Sequence, residues 1–322
     1  MIPRLICMTA ALLWAAVLPS PLRGDAPALL FPVDCTLGDT CFLQQFMDRD
    51  PGPGWRDFTC GPASYDGHTG TDIRVADLAT MRQGWAVRAA APGTVRAIRD
   101  GVPDGGTAAA PQGQGCGNGV VIDHAEGWQT QYCHLAQGSV TVTPGQAVAA
   151  GAVLGEIGYS GITEFPHLEF LVRHNGVLVD PFDPSDLSRC GMGVDPLWAE
   201  PIASTASGVL SVGFSDAVPE FSDIRAGTAN ATSLDRTGPA LVLWGFVFGG
   251  QAGDILRLEI RDPEGAAYHR QEVVLERTQA ELFRASGRRI SDSLPAGEYT
   301  GTVTLIRDDI EIDTRTTHIP VR

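Results

Sequence analysis

Along most of the chain, apolar and polar residues alternate in short runs. From about Trp85 the segments AVRAAAPGTVRAI, GNGVVIDHAEGWQTQYCHL, VTVTPGQAVAAGAVLGEIG and PHLEFLVRHNGVLVDP are each cut by Gly, Pro or Asn. Runs of this length with such turn chemistry, and no long stretch of helical period between them, predict an antiparallel β domain over 67–185. After residue 203 the pattern returns in GVLSVGFS, ALVLWGFVFG, DILRLEIRDPEG, RQEVVLE and GEYTGTVTLIRD. These runs predict a second β domain over 203–322, most simply an immunoglobulin-like sandwich. Residues 186–202 show no clear period and read as a linker. Residues 25–66 are rich in Pro, Gly and Asp and read as a loop-rich lead-in, with a short helix at Phe42 to Met47. The predicted class is all-β.

The first 24 residues break this pattern. Arg4 is followed by an apolar run from Leu5 to Leu18 and a Pro-punctuated stretch ending at Gly24, which reads as a secretory signal peptide. That run falls short of the roughly 20 residues needed to span a bilayer, and no other stretch is long enough. An exported chain is the expectation.

Cys7 lies inside the signal, which leaves Cys35, Cys41, Cys60, Cys116, Cys133 and Cys190. An even number in an exported chain predicts disulfides, and no CxxC spacing supports a structural zinc. Proximity pairs Cys35 with Cys41. Counting outward from Glu126 in the hairpin GNGVVIDHAEGWQTQYCHL puts Cys116 and Cys133 near one level, and Cys60 is left for Cys190.

Length and charge narrow the function. At 322 residues the chain suits about two domains. A formal charge of −15 argues against nucleic acid or an anionic membrane surface as partner. All 23 basic residues are Arg. The lack of lysine excludes Schiff-base chemistry, P-loop phosphate binding and biotinyl or lipoyl attachment, although AAAPGTV and GAVLGEIG also resemble the hairpins of such carriers. A sugar-phosphotransferase subunit, which also uses histidines, would need neither signal nor paired cysteines.

Candidate chemistry gathers in the first β domain. His68 and Asp72 share GHTGTD, where Gly70 permits a tight backbone. His134 lies in YCHL. In HLEF, a period of two puts His167 and Glu169 on one face and Leu168 and Phe170 on the other. A catalytic zinc takes about three protein ligands and leaves one position open. His68, Asp72 and Glu169 supply such a set, with His134 and His167 free for proton transfer. His124 and His174 fit exposed turns, His269 and His318 lie in the tail, and none of the four is given a role.

Read in order, GHxGxD, AAAPGTV, GNGVVIDH, YxHL, VxxGQxVxxGxxLGxxG and PHLxF make the chain resemble the M23 family of zinc metallopeptidases from about Gly67 to Pro181. These are LytM or lysostaphin-type enzymes that cut peptide bonds in bacterial peptidoglycan. The resemblance implies that His68 and Asp72 bind zinc and that His134 and His167 are catalytic. It also shows a departure: the family's third ligand, a histidine, is Glu169 here. Glutamate is a legitimate zinc ligand, but a second anionic donor moves preference towards oxygen-loving ions such as Mn²⁺.

Two functions follow. One is an exported metalloendopeptidase acting on peptidoglycan stem or cross-bridge peptides. The other is a catalytically degenerate module that binds peptidoglycan or a partner cell-wall enzyme. Retention of both His134 and His167 favours the first.

Overall fold

The computed structural model describes residues 26–184, 187–191 and 195–322; the expected signal peptide and part of the expected linker lie outside them. Among these residues no helix is long and apolar enough to cross a membrane. The strands are β1 (Phe42–Gln45), β2 (Thr71–Arg74), β3 (Ala86–Arg88), β4 (Gly93–Arg99), β5 (Asn118–Asp123), β6 (Trp128–Leu135), β7 (Ala147–Val148), β8 (Val153–Glu156), β9 (His167–His174) and β10 (Val177–Val179) in the first half. The second half holds β11 (Gly208–Ser215), β12 (Ala240–Gly250), β13 (Ile255–Arg261), β14 (Ala267–Val274), β15 (Gln279–Arg289), β16 (Gly297–Arg307) and β17 (Ile310–Val321). Two short α-helices, α1 (Leu78–Met81) and α2 (Phe221–Ala226), and two 3-10 turns at Gly106–Ala109 and Ala125–Gly127 lie between the strands.

The first half is built on one antiparallel sheet in the order β1-β2-β9-β6-β5-β4-β7, with β10 paired to β9. Its core follows from the period of two. Leu168, Phe170 and Val172 of β9 pack beside Val120, Ile122 and Tyr132 from β5 and β6. Leu197 and Trp198, from the stretch read as a linker, are buried in the same core, and Leu29 bridges to Trp198.

Phe42 to Met47 was expected to be helical, and the structure corrects this: Phe42–Gln45 is an edge strand. Leu43 faces the main core while Phe42 joins a separate cluster with Leu210, Trp244, Phe246 and Phe248 from the second half. Both faces are covered, so no polar side marks the strand period.

The second half is the immunoglobulin-like sandwich: a three-stranded sheet, β11-β12-β15, faces a four-stranded one, β14-β13-β16-β17. Leu241, Leu243, Leu256, Leu258, Val303 and Leu305 fill the space between them. The outer face of the smaller sheet carries Phe246 and Phe248 onto Phe42, and so docks the sandwich against β1.

All three expected disulfides are present: Cys35–Cys41, Cys60–Cys190 and Cys116–Cys133, with Cα separations of 6.0, 5.1 and 4.8 Å. The lead-in is tied further by Arg49, fully buried, whose guanidinium pairs with Asp180 at 3.1 Å and Asp183 at 3.3 Å. Burying a charge requires such partners.

Candidate metal centre and active-site groove

Three neighbouring strands of the large sheet, and the loop leading into one of them, deliver the five candidate residues to one place. Asp72 on β2 stands opposite Glu169 on β9, and Cys133 on β6 stands opposite Glu169 on its other side. His167, two residues before Glu169, shares its face. His68 arrives from the loop that enters β2. Gly70 in that loop has a steric reason: a Cβ there would sit 2.7 Å from Glu169 Cγ.

His134 reaches the site through a bulge. Between the pairs Val120–Tyr132 and Asn118–Leu135, β6 carries one residue more than β5, and His134 sits in the left-handed region at φ 64°. A bulge re-aims the side chain of the strand that carries it. The backbone N–H of His134 donates to the Cys116 carbonyl at 2.8 Å, next to the Cys116–Cys133 disulfide.

The five side chains form a row in which imidazole and carboxylate alternate. His134 Nε2 lies 3.5 Å from Glu169 Oε2, and Glu169 Oε1 lies 3.8 Å from His68 Nε2. His68 Nε2 lies 3.0 Å from Asp72 Oδ1, which lies 3.4 Å from His167 Nε2. Each imidazole is held from behind: Nδ1 donates to the Phe46 carbonyl from His68 (2.8 Å), to the Ser160 carbonyl from His134 (2.7 Å) and to the Phe165 carbonyl from His167 (2.9 Å). A carbonyl accepts only, so each Nδ1 carries a proton and each Nε2 points into the site.

Electrostatics fit a cation-binding place. Burial by itself would lower the His68 pKa, but the charge and hydrogen bond of Asp72, with the Phe46 carbonyl and Glu169, raise it to about 9. Burial would raise the Asp72 carboxyl, yet His68 and His167 together hold it far below the usual carboxylate range. Among the described residues, His68, Asp72 and Glu169 form a group whose donor atoms all lie within 4.8 Å of one another. One imidazole nitrogen and two carboxylate oxygens at that spacing, with the imidazole orientation preset from behind, suit a divalent ion.

The structure also supplies residues that the sequence did not single out. Tyr65 stacks on His68 with ring centroids 4.4 Å apart; burial, then the charges of Asp72 and Glu169, push its phenol pKa up. Ser160 and Phe46 act through backbone carbonyls, which no side-chain motif signals. His124 and His174, expected in exposed turns, are half-buried and bonded: His124 to the Pro92 carbonyl and the Thr130 hydroxyl, His174 to the Glu126 carbonyl with Trp128 stacked on it. Both lie outside the row of five.

Comparison with known proteins finds similarity over the stretch that carries these residues. Residues 66–181 match the model of Peptidase family M23. The cell division protein DipM of Caulobacter vibrioides is 39% identical over 70 residues, covering 22% of this chain and 11% of the relative. The DD-carboxypeptidase/endopeptidase Mpg of Neisseria meningitidis is 35% identical over 119 residues, covering 35% of this chain and 22% of the relative. The match thus spans about a fifth or less of these relatives' length. A solved structure of Helicobacter pylori Csd3 matches at 21% identity with a TM-score of 0.33, over 49% of this chain and 35% of that one. The ordered motifs and the family match fall on the same stretch, and residues 66–181 are a domain of peptidase family M23.

Proposed function

We propose that the chain is an exported metalloendopeptidase of the bacterial cell envelope that hydrolyses peptide bonds of peptidoglycan. The observation that carries this reading is the row of five: two imidazoles outside the compact donor group, His134 and His167, turn their Nε2 atoms towards its carboxylates. A site that only binds has no use for two buried imidazoles oriented from behind by backbone carbonyls.

In this reading His68, Asp72 and Glu169 hold the ion, zinc or an oxygen-preferring divalent metal such as Mn²⁺. The bound ion would polarise the scissile carbonyl and make water a better nucleophile near neutral pH. His134 or His167 accepts the proton of the attacking water at Nε2. Once protonated, the same nitrogen donates to the carbonyl oxygen as negative charge develops there, or to the leaving amine nitrogen. The Ser160 and Phe165 carbonyls keep both rings oriented through that cycle. Three disulfides in the fold suit an oxidising compartment.

One observation favours a second reading, a module that binds peptidoglycan or a cell-wall enzyme without cutting. Glu169 stands where the family places a histidine ligand, and a second anionic donor weakens the ion as a Lewis acid. The two are separated by incubating the mature protein, loaded with zinc or manganese, with purified sacculi. The peptidase reading expects new free amino groups with time, lost in His134→Ala while metal content is kept. No release of amino groups with either metal overturns it.

A further inference from the structure

The candidate site opens into a cavity of about 470 Å³ lined by Asp72, His134 and His167 and also by Ala280 and Glu281 of β15. The sandwich therefore reaches the groove, and Glu281 does more than line it. One of its oxygens pairs with Arg74 Nη1, and the other lies 3.5 Å from Arg225 Nε on α2. Arg74 follows Asp72 by two residues on β2 and stands directly opposite His167 on β9, so it shares the face that carries the site.

Arg74 is fully buried, and every nitrogen of its guanidinium is engaged. Nε donates to the Val75 carbonyl and Nη2 to the Ala76 carbonyl, each at 3.1 Å, while Nη1 donates to Gln44 Oε1 and to Glu281. The group is rigid and planar, so these four acceptors fix its plane. Its central carbon lies 4.6 Å from the centroid of the Phe165 ring, an attraction that strengthens away from water. Phe165 in turn meets His167 twice: the ring centroids are 4.5 Å apart, and the Phe165 carbonyl accepts from His167 Nδ1 at 2.9 Å. A continuous line of contacts thus runs from the sandwich to one imidazole of the row. Docking alone does not account for it. Phe42 and Phe248 already join the sandwich to β1, and a buried ion pair adds little stability for its desolvation cost.

We propose that Glu281 is a positioning residue for His167, acting through Arg74 and Phe165, so that the sandwich is part of the framework of the active site rather than a spacer. What His167 then does rests on the peptidase reading. His134 is the internal control, since its support, Ser160, is hydrogen-bonded to Leu135 and Asn118 within the M23 domain.

The test follows exchange of the imidazole Nδ1 protons with water by NMR, on the full mature chain with isotopically labelled histidine. In Glu281→Ala the His167 proton should exchange at least about tenfold faster while that of His134 keeps its parental rate. Arg315→Ala, which removes another contact of the sandwich, to the Gly38 and Asp39 carbonyls, should change neither. Phe165→Leu leaves the Glu281–Arg74 pair in place and should speed the same His167 exchange; it decides the matter if Glu281→Ala loses its cooperative unfolding. On a soluble cross-linked muropeptide, kcat of Glu281→Ala should fall about tenfold with KM and metal content kept. Parental exchange at His167 in the folded variants, equal acceleration at His134, the same acceleration in Arg315→Ala, or an unchanged kcat beside faster His167 exchange overturns the proposal. Exchange needs no turnover: a His167 response in a chain whose parent is inert would retain the positioning and discard the peptidase.

Discussion

Asp72 and Glu169 stand directly opposite each other on β2 and β9, two carboxylates at paired positions of adjacent antiparallel strands. Like charges so placed repel. The three imidazoles around them relieve part of this, and a divalent ion would relieve more. Metal should therefore stabilise the fold: at a free concentration a hundred times Kd the gain is about 2.7 kcal/mol. For a unit of this size that corresponds to a Tm rise of roughly 5–10 °C. Thermal unfolding with and without zinc or manganese checks it, and identical curves would count against the site.

This gain should depend on pH. In the metal-free chain His68 titrates at about 9, above its unfolded value near 6.5. Its protonated form stabilises that chain fully below about 6.5, and the contribution is lost as pH rises through about 9. Metal must displace the same proton, so its affinity rises with pH over this window. The Tm difference between loaded and metal-free protein should widen from pH 6.5 to 9; a constant difference would mean that His68 is not a ligand.

Gly70→Ala would push a Cβ to within 2.7 Å of Glu169 Cγ. Overpacking of this kind costs about 1–3 kcal/mol, and relief requires Glu169 to swing away. Metal affinity should drop at least tenfold while the far-UV spectrum stays β-like. Retention of parental affinity would show that Glu169 does not contribute.

Replacing both Cys116 and Cys133 by Ser should cost about 2–4 kcal/mol, as for disulfides closing loops of this length. The bond sits beside the bulge that aims His134, whose N–H rests on the Cys116 carbonyl. Peptidase rate should accordingly fall further than metal content does. Equal losses of both would place the effect in general stability.

Glu169→His exchanges an anionic oxygen for a neutral nitrogen and raises the site charge by one unit. Position 169 shares a face with His167, so Leu168 and Phe170 keep their packing in the core. Preference should shift from manganese towards zinc, and sacculus cleavage near neutral pH should rise. Competition dialysis that finds the parental metal preference would remove Glu169 from the ligand set.

Much of the site could be read in the sequence because its groups lie in short local motifs on strands. HLEF displays its two faces directly, and GHTGTD brings an imidazole and a carboxylate within four residues. What escaped depends on distant packing. β1 hides its period because Leu43 and Phe42 are buried in different cores. Tyr65 and Glu281 reach the groove through contacts that no local spacing encodes. Leu197 and Trp198 look like linker residues until Leu29 and Phe170 are placed beside them.

Metal analysis of the mature protein, loaded with zinc or manganese and then dialysed, tests the central claim most directly. The account predicts one divalent ion per chain in the parent and loss of that ion in His68→Ala, whose Nε2 lies 3.0 Å from Asp72 and 3.8 Å from Glu169. A parent chain that retains no stoichiometric metal, or a His68→Ala chain that retains the parental amount, would contradict it.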